Sequence, residues 1–191
     1  MIWAISAGQE RLAKVGERAL QAGVDRLLVR EPRLPPGIEA LCERYGPRIV
    51  LHATMQDAIA IARATGAGVH LPGGEDPAKC DYAGPLGVSC HSPEEAKAVL
   101  LGGCDWVFLS PIFRPLSKPS DTRPVLGPEA LVGVGAIALG GIDLSRVAAC
   151  REHGAIGVAT MSGILSEPDP ALAAGRWKAA WGEGEAPTVG L

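Results

Sequence analysis

Short apolar runs alternate with amphipathic or polar stretches along almost the whole chain. The first run, Ile2 to Ile5, is followed by residues 10–21, where apolar side chains recur at helical spacing up to Gly23. Short runs without internal polar alternation are typical of strands that are buried on both faces. Seven more runs follow, so we predict strands over residues 2–5, 26–29, 49–51, 68–71, 86–89, 106–109, 136–139 and 156–159.

Helical segments are predicted between these strands. The clearest start is Ser92-Pro93-Glu94-Glu95, which supplies an N-cap, a proline at the first helical position and a capping-box glutamate. Thr54 and Asp143 are expected to cap two further helices, and Asp169-Pro170 to begin the last one. Only vestigial or short helices are predicted after the fourth and sixth strands, near residues 76–80 and 128–132.

Eight strands that alternate with eight helical segments predict a parallel sheet, and the eight-fold repeat predicts closure. The expected fold is therefore α/β, a compact (β/α)8 TIM barrel. The main rival is an open doubly wound sheet, in which eight strands would be crowded within 191 residues. We predict one barrel domain over residues 1–181 and a disordered Gly/Glu/Pro-rich tail over residues 182–191.

Composition narrows the classes of partner. A formal charge of -3 gives no global basic field, so we expect neither nucleic acid nor an anionic membrane as a partner. No run approaches the roughly 20 apolar residues of a membrane span, and the first residues lack the basic region of a signal peptide. We therefore expect a cytoplasmic protein. Five widely spaced cysteines argue against a disulfide framework.

Glycines and cations follow several predicted strands. In a barrel of this kind, phosphate is commonly held by the loops after strands seven and eight, where Gly140-Gly141 and Met161-Ser162-Gly163 lie. Glycines let backbone N–H groups approach phosphate oxygens, although the same residues could serve only tight turns. Their presence at both expected strands favours phosphate binding. Lys118, in a proline-stiffened loop, and Arg30, at the end of strand two, could complete the anion site.

Three of the four histidines, His52, His70 and His91, fall at or just past the ends of strands three, four and five. An imidazole is suited to proton transfer near neutral pH, and Glu31 at the end of strand two could share this task. A hydrogen-bonded structural role is an equally good interpretation for any single histidine. The spacing matches no local metal-binding motif, so we expect no metal site.

Six short motifs occur in order from strand two to strand eight: Val29-Arg30-Glu31, Gly68-Val69-His70-Leu71, Gly87-Val88-Ser89 with His91, Ser110-Pro111-Ile112-Phe113 with Lys118, Leu139-Gly140-Gly141-Ile142, and Gly157-Val158-Ala159 with Met161-Ser162-Gly163-Ile164. Together they resemble the thiamine-phosphate synthase/TenI family. The resemblance implies a (β/α)8 barrel and a role in thiamine biosynthesis.

The resemblance to the synthases of this family is incomplete. They are known for a Gln-x-Arg-x-Lys pattern at strand two that holds a pyrophosphate, whereas this chain has Leu28, Arg30 and Pro32. They also carry an Asn-Asp-Arg turn after strand three whose aspartate helps bind Mg²⁺, and here the turn is His52-Ala53-Thr54. A second metal carboxylate could correspond to Asp76. These losses should weaken a Mg-pyrophosphate site, so we expect no cofactor, with Mg²⁺ required only if the chain is a synthase.

The TenI-like tautomerases need no metal, since they aromatise a carboxythiazole phosphate by moving a proton. The strings Met161 to Ile164 and Ser89 to Ser92 resemble this branch more closely. The histidine that this branch carries after strand six is Pro111 here. Proton transfer would then fall to one of the three strand-end histidines or to Glu31.

Our first hypothesis is an isomerase of the thiazole-tautomerase kind that binds a small phosphorylated thiazole. Phosphate would be held by Gly140, Gly141, Ser162 and Gly163, and the carboxylate would lie near Lys118 and Ser110. The alternative is a divergent synthase that joins hydroxymethylpyrimidine diphosphate to thiazole phosphate. A third hypothesis is a regulator that binds such a phosphate without turnover. The sequence leaves the oligomeric state open, with a homo-oligomer as one option.

Overall fold

The protein is described by a computed structural model that covers residues 1–114 and 124–182. Eight parallel strands form a closed barrel in which each strand pairs with the next and the eighth pairs with the first. The predicted TIM barrel is confirmed, and an open sheet is excluded by the closure. The strands are β1 Ile2–Ile5, β2 Arg26–Val29, β3 Ile49–His52, β4 Gly68–Leu71, β5 Leu86–Cys90, β6 Trp106–Leu109, β7 Ile137–Ala138 and β8 Gly157–Thr160.

Within the described residues, six α-helices surround the barrel: α1 Leu12–Gln21, α2 Ile38–Tyr45, α3 Ala58–Thr65, α4 Pro93–Leu101, α5 Val147–Glu152 and α6 Pro170–Trp181. Single 3₁₀ turns, Pro77–Lys79 and Pro128–Leu131, follow β4 and β6, as the vestigial segments in the sequence predict. None of the helices in the described ranges is long and apolar enough to cross a membrane. Except for Gly182, the tail that we expect to be disordered lies outside the described residues.

The start of α4 is confirmed in detail. Ser92 Oγ accepts a hydrogen bond from the backbone N–H of Glu95 at 3.1 Å. The Glu95 carboxylate in turn accepts from the backbone N–H of His91 at 2.7 Å. The helix start therefore fixes the backbone at the end of β5, where a histidine was predicted to act.

The predictions that Thr54 and Asp143 cap helices were wrong. The α3 helix begins only after Asp57, and the Thr54 hydroxyl lies 2.7 Å from His52 Nδ1 instead. The Asp143 carboxylate accepts from the N–H and the hydroxyl of Ser145, which closes a local turn, and α5 starts later at Val147. Asp, Ser and Thr side chains that bond locally compete with helix initiation, and here the local turns prevail.

Two tryptophans fill the amino-terminal half of the barrel interior. Trp3 and Trp106 are both buried, and their ring centroids lie 5.3 Å apart. Neighbouring strands carry glycines where these rings need space: a Cβ at Gly68 would lie 3.0 Å from Trp106 Cη2, and one at Gly87 would overlap the indole. Large and small residues thus alternate around the closed barrel, which keeps its interior solid.

Arg26 covers the amino-terminal end of this interior. Its guanidinium carbon lies 5.3 Å from the ring centroid of Trp3 and 4.9 Å from that of Trp106. Cation–π contact with two rings favours this position, whereas burial lowers the pKa of the Arg26 guanidinium and Asp105 and Asp25 oppose that shift. Arg26 and the two indoles therefore occupy the amino-terminal end of the barrel interior.

We expect Gly87→Ala to lower the free energy of unfolding by about 1–3 kcal/mol, because an added methyl would overlap Trp106 in a packed interior. Gly175→Ala is the matched control: Gly175 lies inside α6, and nothing lies within 4 Å of the position that its added methyl would take, so this variant should gain about 0.5–1 kcal/mol. Urea denaturation of both variants measures the difference. Equal stability of the two variants would contradict this account of the barrel interior.

Candidate active site

A cavity of about 490 Å³ opens at the carboxyl ends of the strands. Every strand or the loop after it contributes to the wall. The base is largely apolar, with Ile5, Leu28, Phe108 and Ala159, and the upper wall is polar. This volume falls within the range of about 300–1,000 Å³ that small-molecule sites occupy.

Most of the predicted site residues line this cavity: His52, His70, His91, Arg30, Ser110, Gly140, Gly141, Met161 and Ser162. Lys118 lies outside the described residues. Glu31 and Gly163 are described, but neither lines this cavity. Folding into the barrel therefore brings together groups from β2 to β8 that are far apart in sequence.

Glu31 and Gly163 have other roles in the structure. The Glu31 carboxylate accepts from the backbone N–H of Gly8 at 2.9 Å and so ties the β1 and β2 loops together. The N–H of Gly163 already donates to Thr160 Oγ1 at 3.1 Å, and its carbonyl accepts from the Trp177 indole. A side chain at Gly163 would clash with Trp177, so this glycine serves packing.

The imidazole of His70 is held on both sides. It is 1% exposed, with Nδ1 3.1 Å from the Trp106 indole nitrogen and Nε2 2.9 Å from Ser89 Oγ. Its ring centroid lies 4.5 Å from that of Phe108. Burial lowers the pKa of His70 to about 3, with smaller contributions from the charges of His52 and Arg30. A neutral imidazole with both ring nitrogens hydrogen-bonded to the protein is poorly placed to exchange protons with a ligand.

His52 is also neutral near pH 7. Its Nδ1 lies 2.7 Å from Thr54 Oγ1 and 3.4 Å from the Thr54 backbone nitrogen, whose N–H points to the ring. Because that N–H can only donate, Nδ1 is an acceptor and the proton of the neutral ring lies on Nε2. Burial, followed by the charge of Arg30, lowers the pKa of His52 to about 4. His52 can therefore donate a hydrogen bond to a ligand but is a weak base.

His91 has the opposite tautomer. Its Nδ1 lies 2.8 Å from the backbone carbonyl oxygen of Ser110, which can only accept, so Nδ1 carries the proton. Nε2 then carries a lone pair and has no hydrogen-bond partner within residues 1–114 and 124–182. This nitrogen lies beside Gly73 in the cavity wall, where an added methyl would come within 2.8 Å of it. Of the three predicted histidines, His91 alone combines exposure with an available basic nitrogen.

The loops after β7 and β8 present backbone donors to the cavity. Gly140 and Gly141 have φ angles of 92° and 62°, and a Cβ would lie 2.8 Å from Pro111 Cα or 2.6 Å from the Arg114 carbonyl oxygen, respectively. Both glycines are thus required by the close approach of the β6 loop. In the described part of the chain no acceptor takes the N–H of Gly141, Ile142 or Ser162. These groups remain available for an anion.

Arg30 supplies positive charge at the cavity wall. Its backbone N–H donates to Ser6 Oγ at 2.8 Å, which fixes the end of β2, while its guanidinium lies near enough to His52 and His70 to lower the pKa of both. The charge and the free amides of the β7 and β8 loops suit an anionic ligand.

Sequence reasoning missed Thr54, Ser89 and Thr160 as cavity residues and Trp106 as the hydrogen-bond partner of His70. The position of Trp106 could have been anticipated in part, since glycines inside β4 and β5 indicate that a bulky neighbour approaches these strands closely. No signal in the sequence showed that a tryptophan would reach His70, because that contact joins β6 to β4 across the barrel interior.

A closed eight-stranded barrel with polar groups from successive strand ends around one cavity belongs to the class of (β/α)8-barrel enzymes. The family model described as thiamine monophosphate synthase matches residues 2–164. The chain belongs to this family, which confirms the resemblance found in the sequence.

Curated relatives and solved structures agree with this assignment. A thiamine-phosphate synthase of Thermus thermophilus is 33% identical over 191 residues, which cover 90% of this chain and 88% of the relative. A thiamine biosynthesis bifunctional protein of Symbiobacterium thermophilum is 34% identical over 179 residues, covering 83% of this chain and 36% of that longer protein. Thiamine phosphate pyrophosphorylase from Bacteroides thetaiotaomicron has a similar fold, with a TM-score of 0.69, 22% identity and coverage of 94% and 96% of the two chains.

The described residues around the cavity offer few ligands for Mg²⁺. This ion prefers carboxylate and phosphate oxygens, and Asp143 is the single carboxylate among the described lining residues. Asp143 Oδ1 accepts from the N–H and the hydroxyl of Ser145, and Oδ2 lies 3.7 Å from Nε of Arg146. Asp76, the other carboxylate considered, caps the turn at Pro77–Lys79 and does not line the cavity.

We expect the fold to lose stability as the pH falls from about 6.5 to about 4. The pKa of His52 is about 4 when folded and 6.5 as a free side chain, so the unfolded chain binds more protons across this window. The contribution of His52 to the free energy of unfolding is fully present above about pH 6.5. By about pH 5 this contribution should have fallen by on the order of 1–2 kcal/mol. Denaturation of wild type and His52→Gln at several pH values tests this. An equally steep pH dependence in the variant would contradict the assignment.

Proposed function

We propose that this chain is an enzyme of thiamine biosynthesis that moves a proton on a phosphorylated thiazole without a metal ion. The observation that carries the proposal is the geometry of His91, whose Nδ1–H is committed to the Ser110 carbonyl at 2.8 Å and whose Nε2 is left as a base in the cavity wall. Family membership supports a role in thiamine biosynthesis, and the side chains around the cavity support the type of reaction.

The parts of such a substrate fit different regions of the cavity. The phosphate would accept from the unused N–H groups of the β7 and β8 loops, assisted by the charge of Arg30. The ring would rest on the apolar base formed by Leu28 and Phe108. This placement brings the ring towards the wall that contains His91.

The reaction would be an isomerisation. His91 Nε2 takes a proton from the non-aromatic ring of a carboxythiazole phosphate, and return of a proton at another ring position gives the aromatic tautomer. No proton is gained or lost overall, and no oxidant, reductant or metal is needed. His52, being neutral, would donate a hydrogen bond to the ligand, while the N–H of neutral His70 donates to Ser89, so the proton transfer would fall to His91. The histidine that the tautomerases carry after strand six is replaced here by Pro111, so this assignment gives its task to the adjacent strand.

The names of the curated relatives favour a second candidate function. The Thermus protein, which covers most of this chain, is named a thiamine-phosphate synthase. A synthase would join a pyrimidine diphosphate to thiazole phosphate, and the family pattern holds the leaving pyrophosphate with Mg²⁺. The apolar Leu28 in the cavity, and the presence of one carboxylate, Asp143, among the described lining residues, weigh against this reaction.

The two reactions are separated by one pair of assays. Wild-type protein should aromatise carboxythiazole phosphate at the same rate with and without a chelator, and it should form no thiamine phosphate from the two synthase substrates with Mg²⁺. Thiamine phosphate formation that depends on Mg²⁺ would establish the synthase and overturn our proposal. Tight calorimetric binding of thiazole phosphate with neither reaction would indicate a regulator.

We expect His91→Gln to lower kcat for the isomerisation by roughly 10²–10⁴-fold, the usual contribution of a general base, with a smaller effect on substrate binding. Gly73→Ala should also lower kcat, because its methyl would come within 2.8 Å of His91 Nε2. His153→Gln makes the same chemical change just after α5, away from the cavity, and should retain the wild-type rate. Full activity of His91→Gln would remove this residue from the mechanism.

A further inference from the structure

Trp106 and His70 form a hydrogen bond beneath the cavity that has only one possible direction. An indole N–H donates and never accepts, so His70 Nδ1, 3.1 Å away, must be the acceptor. In the neutral imidazole the proton then lies on Nε2. Burial, which leaves His70 1% exposed, keeps the ring neutral and so keeps this tautomer.

The protonation of His70 also sets the direction of its second hydrogen bond, to Ser89. His70 Nε2–H donates to Ser89 Oγ at 2.9 Å, so the serine oxygen is an acceptor towards the protein interior. The hydroxyl proton of Ser89 is free to turn elsewhere, and Ser89 lines the cavity. The chain of hydrogen bonds therefore ends at a donor that faces a ligand.

We propose that Trp106 is a positioning residue that fixes the tautomer of His70 and thereby makes Ser89 a hydrogen-bond donor, so that this part of the cavity selects a ligand with an acceptor atom. The identity of that ligand as a phosphorylated thiazole rests on the proposed function. The direction of the hydrogen bonds does not, since it follows from the protein alone.

Packing around Trp106 holds the chain of hydrogen bonds in place. Gly68 and Gly87 leave space for the indole, and Phe108 contacts the His70 ring, with centroids 4.5 Å apart. The glycines of β4 and β5 thus serve more than barrel closure, because they let the indole reach His70.

Trp3 provides a matched control within the same interior. It is buried beside Trp106, but its indole nitrogen has no hydrogen-bond partner among the described residues. Trp3→Phe and Trp106→Phe make the same change in ring size and in donor count. The difference between them isolates the hydrogen bond to His70.

The tautomer of His70 is tested directly by ¹⁵N NMR of the wild-type protein without ligand. We expect Nδ1 to be unprotonated and Nε2 to be protonated at neutral pH, with the fixed tautomer lost in Trp106→Phe and kept in Trp3→Phe. A proton on His70 Nδ1 in the wild type would overturn the inference, even if neither variant folded.

The effect on the ligand is tested by calorimetry with thiazole phosphate. Trp106→Phe should bind about 3- to 10-fold more weakly than Trp3→Phe, which corresponds to one weakened hydrogen bond. Ser89→Ala should lose a similar factor, and adding Trp106→Phe to Ser89→Ala should cost little more, because the two residues act through one hydroxyl. Equal losses from Trp106→Phe with and without Ser89 would show a merely structural role and overturn the inference.

If thiazole phosphate does not bind the wild type, the proposed function fails and the NMR result alone decides the inference. A fixed Nε2–H tautomer of His70 that depends on Trp106 then supports the inference for a ligand other than thiazole phosphate. Absence of that fixed tautomer rejects the inference.

Discussion

The close fit between the Trp106 indole and its neighbours is the contact on which the rest of the structure depends. An eight-stranded barrel with strands this short needs large side chains to fill its interior, and Trp106 fits only because Gly68 and Gly87 lack side chains. The same indole reaches His70 and fixes its protonation. The Trp106 indole therefore both fills the barrel interior and sets the direction of the hydrogen bond to His70, beneath the cavity.

Burial divides the three strand-end histidines into two roles. His52 and His70 are held neutral, with a lowered pKa, because the charged ring would lose hydration and lie near Arg30. His91, at the exposed end of β5, donates to a backbone carbonyl and keeps a basic nitrogen. Three histidines that look equivalent in the sequence thus present one donor, His52, and one base, His91, to the cavity, while His70 donates to Ser89. Such a division suits proton transfer on a ring better than metal binding.

The barrel and most of the cavity wall could be predicted from the sequence, because apolar runs report strands and the carboxyl ends of parallel strands share one face. Helix starts were less predictable: Ser92 caps α4 as expected, but Thr54 and Asp143 bond locally instead. The roles of Glu31 and Gly163 depend on partners in other elements, Gly8 and Trp177, which no local pattern reveals. The tautomers of the histidines were equally inaccessible, since those of His70 and His91 are set by other strands and loops.

Family membership and the residues around the cavity favour two different reactions of thiamine biosynthesis, the synthase reaction and the proposed isomerisation. The chain has the family fold, but the described cavity wall holds an apolar Leu28 and one carboxylate, Asp143, whose Oδ1 accepts from Ser145. A crystal structure of the complex with thiazole phosphate tests the central claim most directly. Our account predicts phosphate on the amides of the β7 and β8 loops, and the ring within hydrogen-bonding distance of His91 Nε2. A phosphate bound elsewhere, or a ring beyond the reach of His91, would contradict it.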